Sequence, residues 1–351
     1  MQTVKIPFDI IVEQVENASR GKKDYYTTTK NLHMWGDGTI CFKKPEKVRS
    51  DTDIRDVDFK FTEWAGNQIF NRMSMPAYYF SKLIEQCPDM VADHFNFWAE
   101  KEDRDIMIRA RELEGNNYIR GFVSGRYSVL DNDFVIDRLA ETVKRNPEEY
   151  SVERFHIDEK RMHIRFAIES TKNKAFGTAL QKGDVLMNGV DLINSEVGAS
   201  SLSLSEMVYR LVCLNGLKRW KQAGETLKQR HIYISESDFQ DRISAGLITG
   251  LESGAKFMQD YIQTKGISIF YPAEIIVKLA RAEGLGAGFV EKVLEAFQIE
   301  DDYTAYGLVN AITRAAKNYE NERMLELEKL AGKVVYLKPS EWESMDVQET
   351  E

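Results

Sequence analysis

The 351-residue chain has little of what usually announces chemistry. Its three cysteines, Cys41, Cys87 and Cys213, are odd in number and widely spaced. They frame neither a disulfide scaffold nor a zinc knuckle, and they suit a reducing cytoplasm. The five histidines are equally scattered, and neither His156 nor His163 has a cysteine nearby. No run approaches the roughly 18 apolar residues that span a bilayer. Met1 to Pro7 leads into polar sequence without the apolar stretch of a secretory signal, so no membrane association is expected. No GxxxxGK[ST], HExxH, CxxC or GxSxG occurs, which argues against a P-loop ATPase, a zinc protease or a serine hydrolase. Gly284-Leu285-Gly286-Ala287-Gly288 lacks the preceding strand of a dinucleotide fingerprint and reads as helix punctuation. Asp131 and Asp133 are the paired carboxylates a Mg²⁺ nuclease would need, but they sit where the caps of a following helix belong. The residues therefore ask for no cofactor, no metal and no catalytic group, and the chain is expected not to be an enzyme.

What is present is an ordinary globular composition, 43% hydrophobic and 29% charged, with a net charge of −9. The charge is uneven. Arg104 to His231 holds 21 Lys and Arg against 18 Asp and Glu, a net of +3, so the remainder carries −12. A modest basic island in an acidic protein can still form a local phosphate-binding surface.

Periodicity divides the chain into four parts. Residues 1–103 form an N-terminal helical and mixed segment. Thr62 caps a helix carrying Trp64, Ala65, Gln68, Ile69 and Arg72. Pro76 and Pro88 open two more, lined by Tyr79, Phe80, Leu83 and Ile84 and by Val91, His94, Phe95 and Trp98, aromatics expected in a core. Residues 104–235 are a strand-rich core. Two-residue alternation marks 106–111, 118–123 and 161–168, with a hairpin loop over Glu112 to Asn117. A helix over 134–143 follows. Val185–Val197 and Ser201–Cys213 continue as strands, Asn215-Gly216 reads as a turn, and Lys218 to Arg230 suits a hairpin around Gly224 or a loop. Residues 236–338 are helical, with Phe239, Ile243, Leu247, Leu251 and Phe257 on one long helix. Residues 339–351 form an acidic tail with five carboxylates and no cation, expected to be solvated and disordered. The fold class is α+β: an antiparallel strand core packed on helices, followed by a helical C-terminal region.

The strand faces carry the functional signal. Tyr118, Arg120 and Phe122 alternate onto one face, a cation between two rings. Arg109 and Arg111 share a face of the preceding strand, and Arg161, His163 and Arg165 one of a later strand. Arg126 and Tyr127 follow the Tyr118 strand, and Lys218, Arg219, Trp220 and Lys221, with Lys228 and Arg230, repeat the chemistry. Merged in one sheet, such faces would make a strip for a single nucleic-acid strand, rings stacking on bases and cations holding phosphates. The structural alternative is a solvated sheet face balanced by Glu112, Glu114 and Glu169.

Several segments resemble a family of unknown function common in bacteriophages, prophages and plasmids, the phage/plasmid-like proteins. These are Thr62-Glu63-Trp64-Ala65, Met75-Pro76-Ala77-Tyr78, Phe95-Asn96-Phe97-Trp98, the run from Ile119 to Tyr127, and Leu130-Asp131-Asn132. Asn194-Ser195-Glu196-Val197-Gly198, Tyr209 to Leu217 and Asn310 to Ala316 complete the set. Ser124-Gly125-Arg126-Tyr127 departs from the family's Ser-Asp-Arg-Tyr and loses an acid there. The strand–strand–helix core is similar to phage single-strand annealing proteins of the Red-beta, RecT, Erf and Sak kinds. The resemblance implies an ATP-independent protein that binds single-stranded DNA, forms rings or filaments of identical copies, and anneals strands in a bacterial host's cytoplasm. A different class stays open: an interaction protein that docks on a host protein, inhibiting or redirecting it through the acidic tail.

Overall fold

A computed structural model of the chain describes residues 6–51, 57–145, 150–168, 186–210, 215–218, 225–229, 256–319 and 321–347. Among these residues the strands form two six-stranded sheets. The first runs in the order β1 (Lys22–Thr28), β5 (Asp105–Leu113), β6 (Asn116–Ser124), β4 (Phe59–Phe61), β3 (Ile40–Phe42) and β2 (Leu32–Met34). Its pairings are antiparallel except β4 with β6. Strands from both sides of residue 103 thus share one sheet. The second sheet orders β7 (Tyr150–Ile157), β8 (Met162–Ile168), β9 (Leu186–Asn194) and β10 (Leu202–Arg210). The far edge of β10 carries both β11 (Asn215–Lys218) and β12 (Glu225–Gln229), end to end. With the helical region that follows, this is the expected α+β architecture.

Each sheet buries its apolar face against helices. α2 (Glu63–Arg72), α3 (Ala77–Gln86) and α4 (Pro88–Lys101) cover the first sheet, joining Ile69, Phe70 and Phe95 to Tyr25, Phe59, Ile108 and Phe122. α1 (Phe8–Ser19) and α5 (Asn132–Arg145) cover the second, with Ile11, Val15, Ile136 and Leu139 on Ile164, Phe166, Val190 and Leu192. The C-terminal region comprises α6 (256–263), α7 (Pro272–Ala282), α8 (Ala287–Glu300), α9 (Ala305–Ala316), α10 (Asn321–Val335) and α11 (Pro339–Met345). Its core takes in Leu186, Val208 and Leu217 from the second sheet.

The local signals explain the element boundaries. Thr62 accepts a hydrogen bond from the Ala65 N–H at 3.2 Å and caps α2, and Pro88 opens α4. Thr62→Ala should lower stability by about 1 kcal/mol in urea unfolding, the usual loss for such a cap. Glu114 and Gly115, with φ of 51° and 77°, make a two-residue turn between β5 and β6, the conformation that matches strand twist in tight hairpins.

Several expectations are corrected. Tyr79 is 57% exposed rather than core, because it sits beside Phe80 on α3 and only Phe80 faces inward. Asn215 and Gly216 pair with Arg210 and Tyr209 as strand, not turn. β11 and β12 pair with β10, not with each other as a hairpin. The tail does not begin as a disordered segment at Lys338. Residues 339–345 form α11, whose Trp342 is buried among the C-terminal helices. An aromatic side chain in an acidic stretch supplies the burial that the charge pattern conceals. The positions 239, 243, 247 and 251 assigned to one long helix lie outside the described residues.

Candidate functional site

The two sheets meet at a buried cluster of charge. A β-bulge positions it. β5 and β6 slip register between Arg109 and Ala110, whose partners are Gly121 and Ile119, so Arg120 is left opposite no residue. A bulge shifts the alternation of the strand that contains it. Ile119 and Phe122 therefore both enter the core, while Arg120 turns toward the loop after β9. Gly121 permits that loop to approach, since a Cβ there would stand 3.0 Å from Val197.

The loop is Asn194 to Ala199, and nearly every group on it is engaged. Glu196 accepts from Lys22 Nζ at 2.5 Å, from the Asn132 N–H at 2.8 Å and from Arg120 Nη1. Its backbone oxygen accepts from Arg109 Nη1 at 2.8 Å. Tyr127 donates to the Ser195 oxygen at 2.9 Å. Trp64 Nε1 and Gln68 Nε2 both donate to the Val197 oxygen, and Gln68 Oε1 accepts from the Phe122 N–H. Asn194 Nδ2 donates to the Leu130 oxygen and to Asn132 Oδ1. On the other side Arg109 forms a fork with Asp24, at 3.0 and 3.1 Å, and reaches Asp131 Oδ1 at 2.6 Å. The Asp131 carboxylate thus serves Arg109, while its backbone oxygen starts α5 by accepting from Val135.

Burial sharpens these charges. It acts to raise the Glu196 carboxyl, but Arg120, Lys22 and the Asn132 N–H outweigh it and hold the group down to about 2. Burial pushes Asp131 up against the pull of Arg109, with Glu196 adding to the rise. Burial also lowers Lys22, opposed by Glu196 and reinforced by Arg120. Burial raises the Tyr127 phenol, with Arg109 opposing. For Arg109 burial is overcome by Asp131 and Asp24, so its charge is held more firmly than in water.

Two clefts open on this cluster. One, of about 480 Å³, is lined by Lys22, Arg111, Tyr118 and Arg120 of the first sheet and by Ile157, Asp158 and Glu159 at the end of β7 and just after it. The second, of about 380 Å³, is bounded by Lys22, Lys23, Asp24, Arg49, Arg109 and Asp131. Arg49 stacks there on Tyr26, 4.5 Å from the ring centroid.

The residues singled out for nucleic acid divide accordingly. Arg111 and Tyr118 are half-buried on the first cleft, and Arg111 donates to the oxygens of Arg20 and Asn17. Arg126 is exposed, and Arg161, half-buried, reaches the Ala199 oxygen. Arg109, Arg120, Phe122 and Arg165 are 1%, 7%, 0% and 4% exposed. The open strip expected there is an interior over Arg109, Phe122 and Arg165, covered by carboxylates and helices from distant parts of the chain, whereas Arg120, mostly buried, still borders the first cleft. Arg165 and His163 both bond Asp191 in the second sheet, and Arg165 also grips Glu328 of α10. Tyr127 is half-buried with its hydroxyl engaged. Lys218 and Lys228 lie in β11 and β12. Arg219, Trp220, Lys221 and Arg230 fall outside the described residues.

Sequence reasoning did not pick out Lys22, Asp24, Asn132 and Glu196. A signal for two of them was present, since Asn132 and Glu196 both lie in segments that carried the family resemblance.

Residues 120–270 match the profile of a domain of unknown function, DUF932, so this part of the chain carries the pattern of an uncharacterised domain family. The match begins at Arg120 and takes in Tyr127, Asp131, Asn132 and the Glu196 loop. Lys22, Asp24 and Arg109 lie before it. No curated protein and no solved structure matches the chain. Among the described residues, no helix is long and apolar enough to cross a membrane.

Proposed function

We propose that the chain binds single-stranded DNA without ATP and anneals complementary strands, as a recombination protein of a phage or other mobile element in the cytoplasm of its bacterial host. One observation supports the reading above the others. Arg111, Tyr118 and Arg120, three of the residues expected to hold a strand, line the same cleft, and Lys22 joins them. A ring flanked by cations suits a stacked base next to its phosphate. Arg109, Phe122 and Arg165 drop out of the contact set, because their side chains serve the fold. Identical copies in a ring or filament would align successive clefts along one strand and leave its bases free to sample a second. The competing reading, an interaction protein acting on a host factor through a free acidic tail, loses support because Trp342 ties residues 339–345 to the C-terminal core.

Mobility-shift and annealing assays without ATP, over a salt series, test the proposal. Binding should weaken linearly in log–log form as salt rises, with annealing accelerated over the protein-free rate. Replacing Arg111 and Tyr118 together by Ala should weaken binding by about tenfold and reduce the salt slope by about one. Absence of single-strand binding at low salt would sink the reading.

A further inference from the structure

The first cleft has more order than a surface groove that tracks a backbone requires. Arg120 lines it with its side chain more than nine-tenths buried, yet only Nη1 is used, on Glu196. Nε and Nη2 have no hydrogen-bond partner. Buried donors left unmatched cost free energy, so an acceptor admitted to them by a small shift of the cleft lining would be held. Two adjacent N–H groups of arginine match two oxygens of a phosphate.

Charges of both signs line the cleft. Lys22 and Arg120 share the single carboxylate of Glu196, leaving one positive charge over, and Arg111, the cross-strand partner of Lys22, adds another. Asp158 and Glu159, which follow β7, also line the cleft. Asp158 is occupied by the Lys160 and Arg161 N–H groups and by His156. Glu159 is exposed and open to a donor. Tyr118 stands on the same cleft as Arg111 and Arg120. A phosphate on Arg120, a flat ring on Tyr118 and a hydroxyl or amino donor on Glu159 describe a nucleotide. A volume of about 480 Å³ suits one nucleotide, within the range of small-ligand pockets.

We propose that this cleft is a mononucleotide site that recognises a nucleoside phosphomonoester, with Arg120 as its phosphate anchor. The site goes beyond the strand-binding reading, because it requires only a terminal phosphomonoester and not a continuous backbone. That group can come from a free nucleotide or from the phosphorylated end of a strand.

Titration calorimetry on the full chain with dAMP, dCMP, deoxyadenosine and inorganic phosphate tests the proposal. Both monophosphates should bind about tenfold or more tightly than deoxyadenosine, as charge-assisted bonds to phosphate require. Arg120→Lys keeps one charge for Glu196 and removes the paired donors, so it should abolish the preference for phosphate while thermal unfolding verifies the fold. Should that variant fail to fold, Arg111→Ala and Glu159→Gln decide, each weakening dAMP binding severalfold. Comparing short oligothymidylates with a 5′-phosphate or a 5′-hydroxyl then separates strand ends from free nucleotides. Equal binding of dAMP and deoxyadenosine, or no binding of either, overturns the proposal, as does a folded Arg120→Lys chain with unchanged preference. Monophosphate binding without strand binding would reject the annealing reading and leave the site standing, and the reverse would reject the site alone.

Discussion

Replacing Glu196 by Ala is expected to destabilise the protein by about 3–5 kcal/mol, the loss that follows when a buried charge pair is broken from one side. The reason is the number of groups that depend on one carboxylate. Lys22 and Arg120 would remain buried as cations, and the Asn132 N–H would lose its acceptor. Glu196→Gln should cost less, because an amide oxygen can still accept from Asn132. Urea unfolding at neutral pH measures both. The pH dependence gives a second readout. With the folded group held at about 2 against an ordinary value of 4.5, the contribution of Glu196 is complete above pH 4.5. It is lost as pH falls toward 2, because the unfolded chain then takes up the proton first. Asp131 is raised instead and so opposes the trend, gaining relative stability as acid protonates it. The wild-type chain should still lose more stability than Glu196→Gln between pH 4.5 and pH 2. Identical acid limbs would show that the carboxylate charge does not hold the seam.

Arg165→Ala should cost a similar amount, about 3–5 kcal/mol, for a different reason. Arg165 donates to Asp191 at 2.9 Å and to both oxygens of Glu328, so it ties the second sheet to α10. Its loss leaves two carboxylates in the interior, of which Asp191 keeps His163 and Glu328 loses the guanidinium. Hydrogen exchange should accelerate first in α10 and then along β8 and β9. Replacing Arg165, Asp191 and Glu328 together by apolar residues of similar volume should restore much of the stability, since the desolvation of three charges then disappears. At a temperature where Arg165→Ala remains folded, single-strand binding should keep its salt slope. A slope reduced by about one, as loss of a phosphate contact would give, would return Arg165 to the DNA-contacting set.

The two arginines mark the boundary of what a sequence discloses. Two-residue periodicity located β5, β6 and β8, and assigned Arg109, His163 and Arg165 to the faces opposite their apolar neighbours. Periodicity does not say what covers a face. Asp24, Asp131, Glu196, Asp191 and Glu328 arrive from other elements, and nothing local to Arg109 or Arg165 announces them. Phe122 failed differently. Strict alternation set it beside Arg120, and a single unpaired residue turned it into the core. Helix ends were legible at Thr62 and Pro88 because capping is a contact between residues three or four apart. Trp342 was hidden because its neighbours are charged. The site's raw materials, Arg111, Tyr118 and Arg120, could be read directly. Their partners, Lys22 and Glu159, became visible only when the hairpins were brought together.

The Lys22–Glu196 bridge also sets a schedule for the ribosome. Its two ends are separated by 174 residues, so at elongation rates of about 5–20 residues per second the lysine is made roughly 9–35 s before its carboxylate. β1 meets the same delay on a smaller scale, since its partner β5 begins at Asp105. During that interval the nascent N-terminal half presents an unpaired strand edge and a lysine without its counter-charge, a species that invites chaperone capture or pairing with a neighbouring nascent chain. Synonymous changes that slow translation between codons 30 and 190 should therefore lower soluble yield without altering the purified protein.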